Sequence, residues 1–291
     1  MRILVTADLH YDNPRSQEPA RDLARRVCRT GGDAVVLVGD TAGADTGPLT
    51  DCLGLFGGFA GRKFLVAGNH CIWCRPGEDS LDRYRRVLPE AAAGAGFHML
   101  DHAPALLGET ALVGSIGWYD YTFRDESLGI PEPFYRAKLS PGAARRLGGH
   151  EDLLAAHRHE LTDVQMSIGA RWMDGRHVRL GVSDERFLEM VAATLEEHLR
   201  WAHDRAERIC AFLHHLPFAG LVPAGRPAGF AFAAAYMGSG RLGKILQRFE
   251  KVRHVFCGHS HWPAKIRVGA MEVVNVGSTY THKRLEVLEL P

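Results

Sequence analysis

Residues 34–40 read AVVLVGD, five apolar residues in a row that stop at Gly39 and Asp40. A run this short, β-branched and without polar alternation is expected to be a strand covered on both faces, as in a parallel sheet. Two flanking runs share the pattern: RILVTAD at 2–8 ends on Asp8, with His10 two residues on, and KFLVAGNH at 63–70 ends on Asn69 and His70. Between them, residues 19–30 have helical periodicity, and TGPLTDCLGLFGGF at 46–59 reads as a Gly-interrupted helix. This is βαβαβ order, and every strand in it finishes on a potential ligand. Because ligand crevices of open α/β sheets lie beyond the carboxyl ends of the strands, Asp8, His10, Asp40, Asn69 and His70 are expected to meet in space.

Composition limits what such a site can serve. The chain has 291 residues, 46% of them hydrophobic, enough to bury a substantial core in one large α/β domain or two modest ones. With 35 Lys+Arg against 34 Asp+Glu the balance is +1, so no global field draws it onto nucleic acid or an anionic membrane, and only a local basic groove could bind a polyanion. MRILVTADLH has one basic residue and then a few apolar ones, which suits a first strand and not a signal peptide. No run approaches the ~18 apolar residues of a membrane span. The six scattered cysteines, without a secretory signal, point to a reducing cytoplasm.

Beyond residue 100 the pattern changes. ALLGETALVGSIGW at 105–118 suggests two short antiparallel strands, and residues 119–182 form a His- and Arg-rich stretch with a helix expected at about 146–168. That stretch reads as an insertion or cap over the crevice, within a single domain spanning 1–291. A long helix is expected from an N-cap at Ser183 to about Glu207, followed by the strand RICAFLHH at 208–215 and a Gly/Ala-rich loop at 219–240. A helix near 241–250 and the strand HVFCGHSH at 254–261 come next. AKIRVGAMEVVNVGS at 264–278 and KRLEVLEL at 283–290 look like a β-meander, and AAAGAG at 91–96 like a surface turn.

The polar strand ends now form a set: Asp8-x-His10, Gly39-Asp40, Gly68-Asn69-His70, His214-His215-x-Pro217 and Gly258-His259-Ser260-His261. In extended chain, residues i and i+2 share a face, so each D-x-H or H-x-H pair could reach one ion. Glycines before Asp40, Asn69 and His259 allow sharp turns below the cluster. Mixed imidazole and carboxylate donors suit borderline divalent metals, Mn, Fe or Zn, better than calcium. Seven donors are too many for one tetrahedral ion and the right number for two ions sharing a carboxylate. Two such ions can acidify a water between them and neutralise charge in an in-line displacement at phosphorus.

In this order of motifs the sequence resembles the calcineurin-like metallophosphoesterase superfamily, and the resemblance runs from Asp8 to His261. It implies a four-layer α/β/β/α sandwich and hydrolysis of phosphate esters by a hydroxide bridging two divalent ions. Asp8, His10, Asp40 and His261 would hold one ion, Asp40, Asn69, His214 and His259 the other, and His70 would be the catalytic histidine outside both shells. His214 is preferred to His215 because it lies deeper in the strand, and adjacent strand residues point to opposite faces. Purple acid phosphatases carry a ligand Tyr where this chain has Gly43, and GDTAGAD and AGNHC differ from the GDxVDRG and RGNHE of Ser/Thr protein phosphatases. Many relatives have an acidic residue where this chain has Cys71.

Other features take the ordinary reading. Cys71 and Cys74 form a C-x-x-C pair with no second pair and no thioredoxin-type helix start, so they are expected to be structural thiols. Trp118, Tyr119 and Tyr121 read as packing before pocket lining, and Arg124, Arg136, Arg145 and Arg146 as a solvated face. His98, His102, His150, His157, His159, His177, His198 and His203 are expected to be solvated or satisfied by ordinary hydrogen bonds. The expected substrate is a small phosphomonoester or phosphodiester. A nuclease and a catalytically silent binding module are the alternatives; the near-neutral balance and the absence of a C-terminal DNA-binding extension count against the first, and the full motif set against the second.

Overall fold

Alternation along the strands decides which side chains form which core. In the computed structural model, which describes residues 1–291, Ile3 and Val5 of β1 (Arg2–Thr6) pack with Val36, Phe64, Phe212 and Phe256 between two sheets, while Leu4 packs outward with Leu23 and Val27 of helix Pro14–Thr30. The first sheet also contains β2 (Ala34–Val38), β3 (Arg62–Val66) and β4 (Phe97–Met99), all parallel to β1. The second contains β5 (Ala105–Leu107), β6 (Thr110–Ser115), β7 (Arg208–Leu213), β8 (Val252–Cys257), β9 (Ala264–Val268) and β10 (Met271–Asn275), in the order β5-β6-β7-β8-β10-β9. Its outer face carries helix Asp184–His203, whose Phe187, Leu188, Val191, Leu195 and Leu199 are all buried. Helix, sheet, sheet, helix is the four-layer arrangement the motif order implied.

Several expectations need correcting. Helix Pro14–Thr30 starts five residues earlier than the periodicity suggested, because the Asn13 side chain caps it and Pro14 takes the first helical position. No helix spans 146–168: Gly148 and Gly149, both at positive φ, separate Pro141–Leu147 from Glu151–Ala156, and a third short helix is Asp163–Ser167. The Gly/Ala-rich loop contains the helix Ala228–Ala233, and AAAGAG lies largely in helix Leu88–Gly94. The C-terminal end is no meander. β9 and β10 form a hairpin, but β11 (Glu286–Glu289) crosses to the other sheet and pairs antiparallel with β1. The antiparallel pair β5–β6, the N-cap at Ser183 and the helix after it are as expected, with the helix ending at His203.

One buried carboxylate joins the two sheets. Asp101 accepts from the Ala67 N–H after β3 at 2.9 Å, the Ile116 N–H after β6 at 2.6 Å and the Tyr84 hydroxyl at 3.2 Å. Burial pushes its pKa up to about 6, against the pull of the amide donors. In Asp101→Asn one acceptor oxygen is replaced by an NH₂ group facing a donor, so urea unfolding should show a loss of about 1–3 kcal/mol; an unchanged midpoint would show that these bonds do not help tie the sheets.

Candidate metal centre

The parallel strands of both sheets release their chains toward one point. Asp8 follows β1, Asp40 follows β2, Asn69 and His70 follow β3, His214 follows β7, and His259 and His261 follow β8. All eight expected site residues are brought together there. Three groups of donor atoms form there, Asp8 with His10 and His261, Asp40 with His214 and His259, and His10 with Asp40 and His70, in each case with the ligand atoms within 4.8 Å of one another. Asp40 lies between the groups: its Oδ2 is 3.6 Å from His10 Nε2 and its Oδ1 3.4 Å from His214 Nε2. The Asn69 amide oxygen is 3.2 Å from His214 Nε2. His215 turns away and bonds the Ile116 carbonyl through Nδ1 at 2.8 Å, in keeping with the choice of His214.

The convergence has a different local cause from the one extended strands would supply. Asp8, His10, Asp40, His259 and His261 all have positive φ, between 42° and 72°, so each pair is bent into the left-handed region. Such backbone costs on the order of 1–3 kcal/mol per residue and persists only where surrounding bonds impose it. Here His259 N–H donates to Asp8 Oδ1 and His70 N–H to Asp40 Oδ1, both at 2.9 Å, and the buried Lys283 ammonium donates to the Asp8 carbonyl at 2.6 Å. Two glycines make room. A Cβ on Gly39, at φ +82°, would lie 2.1 Å from His214 Nδ1, and one on Gly68 would lie 2.2 Å from Asp40 Oδ1.

The donor set fits divalent cations. Asp8 Oδ2 is buried with no hydrogen-bond partner, and His10 Nε2 and His261 Nε2 face each other at 2.9 Å. Burial holds the His10 and His259 imidazoles well below their usual pKa and brings His261 down to about 4, which favours neutral rings, each with one nitrogen able to coordinate. Burial also raises Asp8 to about 7. For His214 burial works against the charge, but the adjacent Asp40 carboxylate outweighs it and lifts the pKa to about 9. Tautomers are fixed from outside: His214 Nδ1 bonds the Val38 carbonyl and His259 Nε2 the Tyr236 carbonyl, each at 3.1 Å, which turns the other nitrogen inward.

Sequence reasoning missed the residue that holds Asn69. Asp174, buried in the irregular stretch, accepts at Oδ1 from Asn69 Nδ2 at 2.9 Å and Trp73 Nε1 at 2.7 Å. At Oδ2 it accepts from the Tyr119 hydroxyl at 3.0 Å and Trp172 Nε1 at 2.8 Å. These bonds leave the Asn69 oxygen facing the cluster. His70 stacks on Trp73, ring centroids 3.6 Å apart, with His177 on the far side of the indole at 4.5 Å, so His177 is not a merely solvated side chain. No motif marks Asp174; its only signal is a carboxylate among Trp and His residues. His198 and His203 also depart from expectation, each burying an Nδ1 with no hydrogen-bond partner. Cys71 and Cys74 are buried free thiols outside all three donor groups, with burial raising Cys71 to about 11. Trp118, Tyr119 and Tyr121 are buried, and two of them satisfy Asp184.

A cavity of about 380 Å³ opens onto the cluster, lined by Asp40, Asn69, His70, His259 and His261 on one side. A larger groove of about 780 Å³ lies elsewhere, but its arginines and carboxylates pair with one another, Arg75 with Asp45 and Arg86 with Asp82, and it touches none of the cluster.

Comparison with known proteins agrees with this geometry. A family model described as calcineurin-like phosphoesterase matches residues 1–263. No curated protein matches the sequence. Among solved structures, the chain is similar to the phosphopantetheinyl hydrolase of Mycobacterium tuberculosis, with a TM-score of 0.66 and 18% identity over 96% of this chain and 89% of the other. The protein TT1561 of Thermus thermophilus gives 0.54 and 13% over 98% and 97%, and a dimetal phosphatase from Danio rerio 0.53 and 14% over 99% and 91%. At these identities the likeness is one of fold.

Replacing Asp174 by Asn puts an NH₂ group where two donors now point and frees the Asn69 amide to rotate. Titration of metal-stripped protein with Mn²⁺ or Zn²⁺ should show metal affinity falling by roughly 10- to 100-fold, with the far-UV circular dichroism unchanged. Wild-type affinity would remove Asp174 from any role in holding Asn69.

Proposed function

Since the chain belongs to the calcineurin-like phosphoesterase family, and is therefore a metal-dependent phosphoester hydrolase, we propose that it cleaves small phosphomonoesters or phosphodiesters at a dinuclear centre. The observation that carries the reading is that Asp40 belongs to two of three neighbouring donor groups, with His214 and His259 in one and with His10 and His70 in the other. Asp8, His10, Asp40 and His261 would hold one transition-metal ion, Mn, Fe or Zn, and Asp40, Asn69, His214 and His259 the other. When bound, the ions acidify water and draw charge off the phosphoryl oxygens.

The protein's own groups do the rest. His70 Nε2 lies 4.0 Å from Asp40 Oδ2, and its imidazole, partly exposed, lines the cavity. Stacking on Trp73 fixes the plane of that ring, so its N–H can be presented to a leaving oxygen without searching for orientation. Residues 119–182 supply Trp172, Met173 and Asp174 to this wall, which supports reading the stretch as a cap that sets specificity. No helix is long and apolar enough to cross a membrane, and all six cysteines are free, which fits a small-molecule hydrolase of a reducing cytoplasm.

Protein purified without chelator should carry two transition-metal ions per chain, and His70→Ala should keep both while kcat falls by roughly 10²–10⁴-fold. The fall should be steeper for an alkyl ester, whose alkoxide needs a proton, than for a p-nitrophenyl ester, whose anion is stable. Equal losses on both esters would point to charge stabilisation instead, and loss of an ion would reassign His70 as a ligand.

A further inference from the structure

The half of the cavity facing away from the metal centre is apolar and aromatic. Its walls there are Trp172, Met173, Phe230, Ala233 and Met237. Trp172 is a fixed plate: its ring lies nearly parallel to Tyr236, 6° between planes with centroids 5.0 Å apart, and its N–H is held by Asp174. Phe230 is 55% exposed, Met173 37% and the adjacent Trp262 49%, three of the largest exposed hydrophobic side chains of the protein gathered at one mouth. The Arg226 guanidinium lies over both exposed rings, 5.3 Å from the Phe230 centroid and 3.9 Å from that of Trp262, which holds the aromatic rim together. Phe230 and Met173 stay exposed at this rim although Arg226 lies over Phe230, and the same cavity is lined by His70, Asn69 and Asp40.

We propose that this pocket is a subsite for the organic substituent of the ester, and that the substituent it takes is a planar aromatic or heteroaromatic group, such as a phenyl ring or a nucleobase. The inference rests on the phosphoester reading and adds the class of substrate. Flat walls on a rigid backing recognise a flat guest, because stacking is gained without ordering either partner. A volume of about 380 Å³ is at the small end for organic ligands and suits a single ring system and its linker better than a polymer. Phosphorus would lie at the Asp40 end and the ring at the Phe230 end.

The test keeps the leaving group constant. Methyl, cyclohexyl, phenyl and thymidine-5′ esters of p-nitrophenyl phosphate release the same phenolate, so differences in kcat/KM report on the other substituent alone. In the wild type, phenyl and thymidine esters should exceed the methyl ester by roughly ten- to a hundredfold, and the cyclohexyl ester should stay well below phenyl. In Phe230→Ala, a change at an exposed position, the phenyl-to-methyl ratio should fall toward one. Equal rates for phenyl and cyclohexyl, or a ratio untouched in the variant, would overturn the aromatic subsite. Turnover of neither these diesters nor p-nitrophenyl phosphate itself would count against the phosphoester reading, and calorimetry of the metal-loaded protein with phenylphosphonate and methylphosphonate then decides the subsite separately: preference for the phenyl compound upholds it, and equal binding overturns it.

Discussion

Everything at the centre of this molecule is arranged around one carboxylate that must be shared. Asp40 is buried with His10 on one side and His214 on the other. Burial alone would favour its neutral form, but the surrounding imidazoles overcome this and hold its pKa well below the ordinary carboxylate range. An anion kept in such a place needs close, directional partners. The chain meets that need with a left-handed Asp40, a glycine beneath its oxygen and an amide from the next strand, and those local demands explain why Gly39-Asp40 and Gly68-Asn69-His70 read as they do.

The parts legible in the sequence were those governed by short-range rules. Apolar runs ending on Asp8, Asp40 and Asn69 announced parallel strands and a crevice, because strand length and ligand position are both local properties. His214 could be separated from His215 by strand alternation, and the structure turns them to opposite partners. What escaped depends on contacts distant in sequence. Asp174 matters because folding brings it to Asn69, 105 positions away, and no spacing rule carries that information. The helix expected at 146–168 failed for the opposite reason: two local glycines interrupt a pattern that was otherwise periodic enough to suggest continuity. β11 looked like the last strand of a hairpin series, and only the packing of the first sheet shows it beside β1.

The site also shows how labour is divided between regular and irregular structure. Strands deliver backbone to the right place, but no expected ligand lies within a strand; each sits just beyond one, and Asp8, His10, Asp40, His259 and His261 are held there in strained left-handed backbone. Orientation comes from residues that are neither motif nor ligand. Val38 and Tyr236 contribute only carbonyl groups, and Asp174 a carboxylate, yet each decides which atom of His214, His259 or Asn69 faces inward.

The pairing of β11 with β1 sets an order of events for a newly made chain. Arg2 reaches Glu289 across 287 positions, and the Lys283 ammonium donates to the Asp8 carbonyl. Until the C-terminal segment has emerged, β1 has an open edge and the Asp8-Leu9-His10 turn lacks the ammonium group that pins it. The Asp40 half of the centre is built from elements completed earlier in translation than this clasp. Pairing over so long a separation is slow to form, so the Asp8 and His10 half of the centre should mature after the Asp40 half.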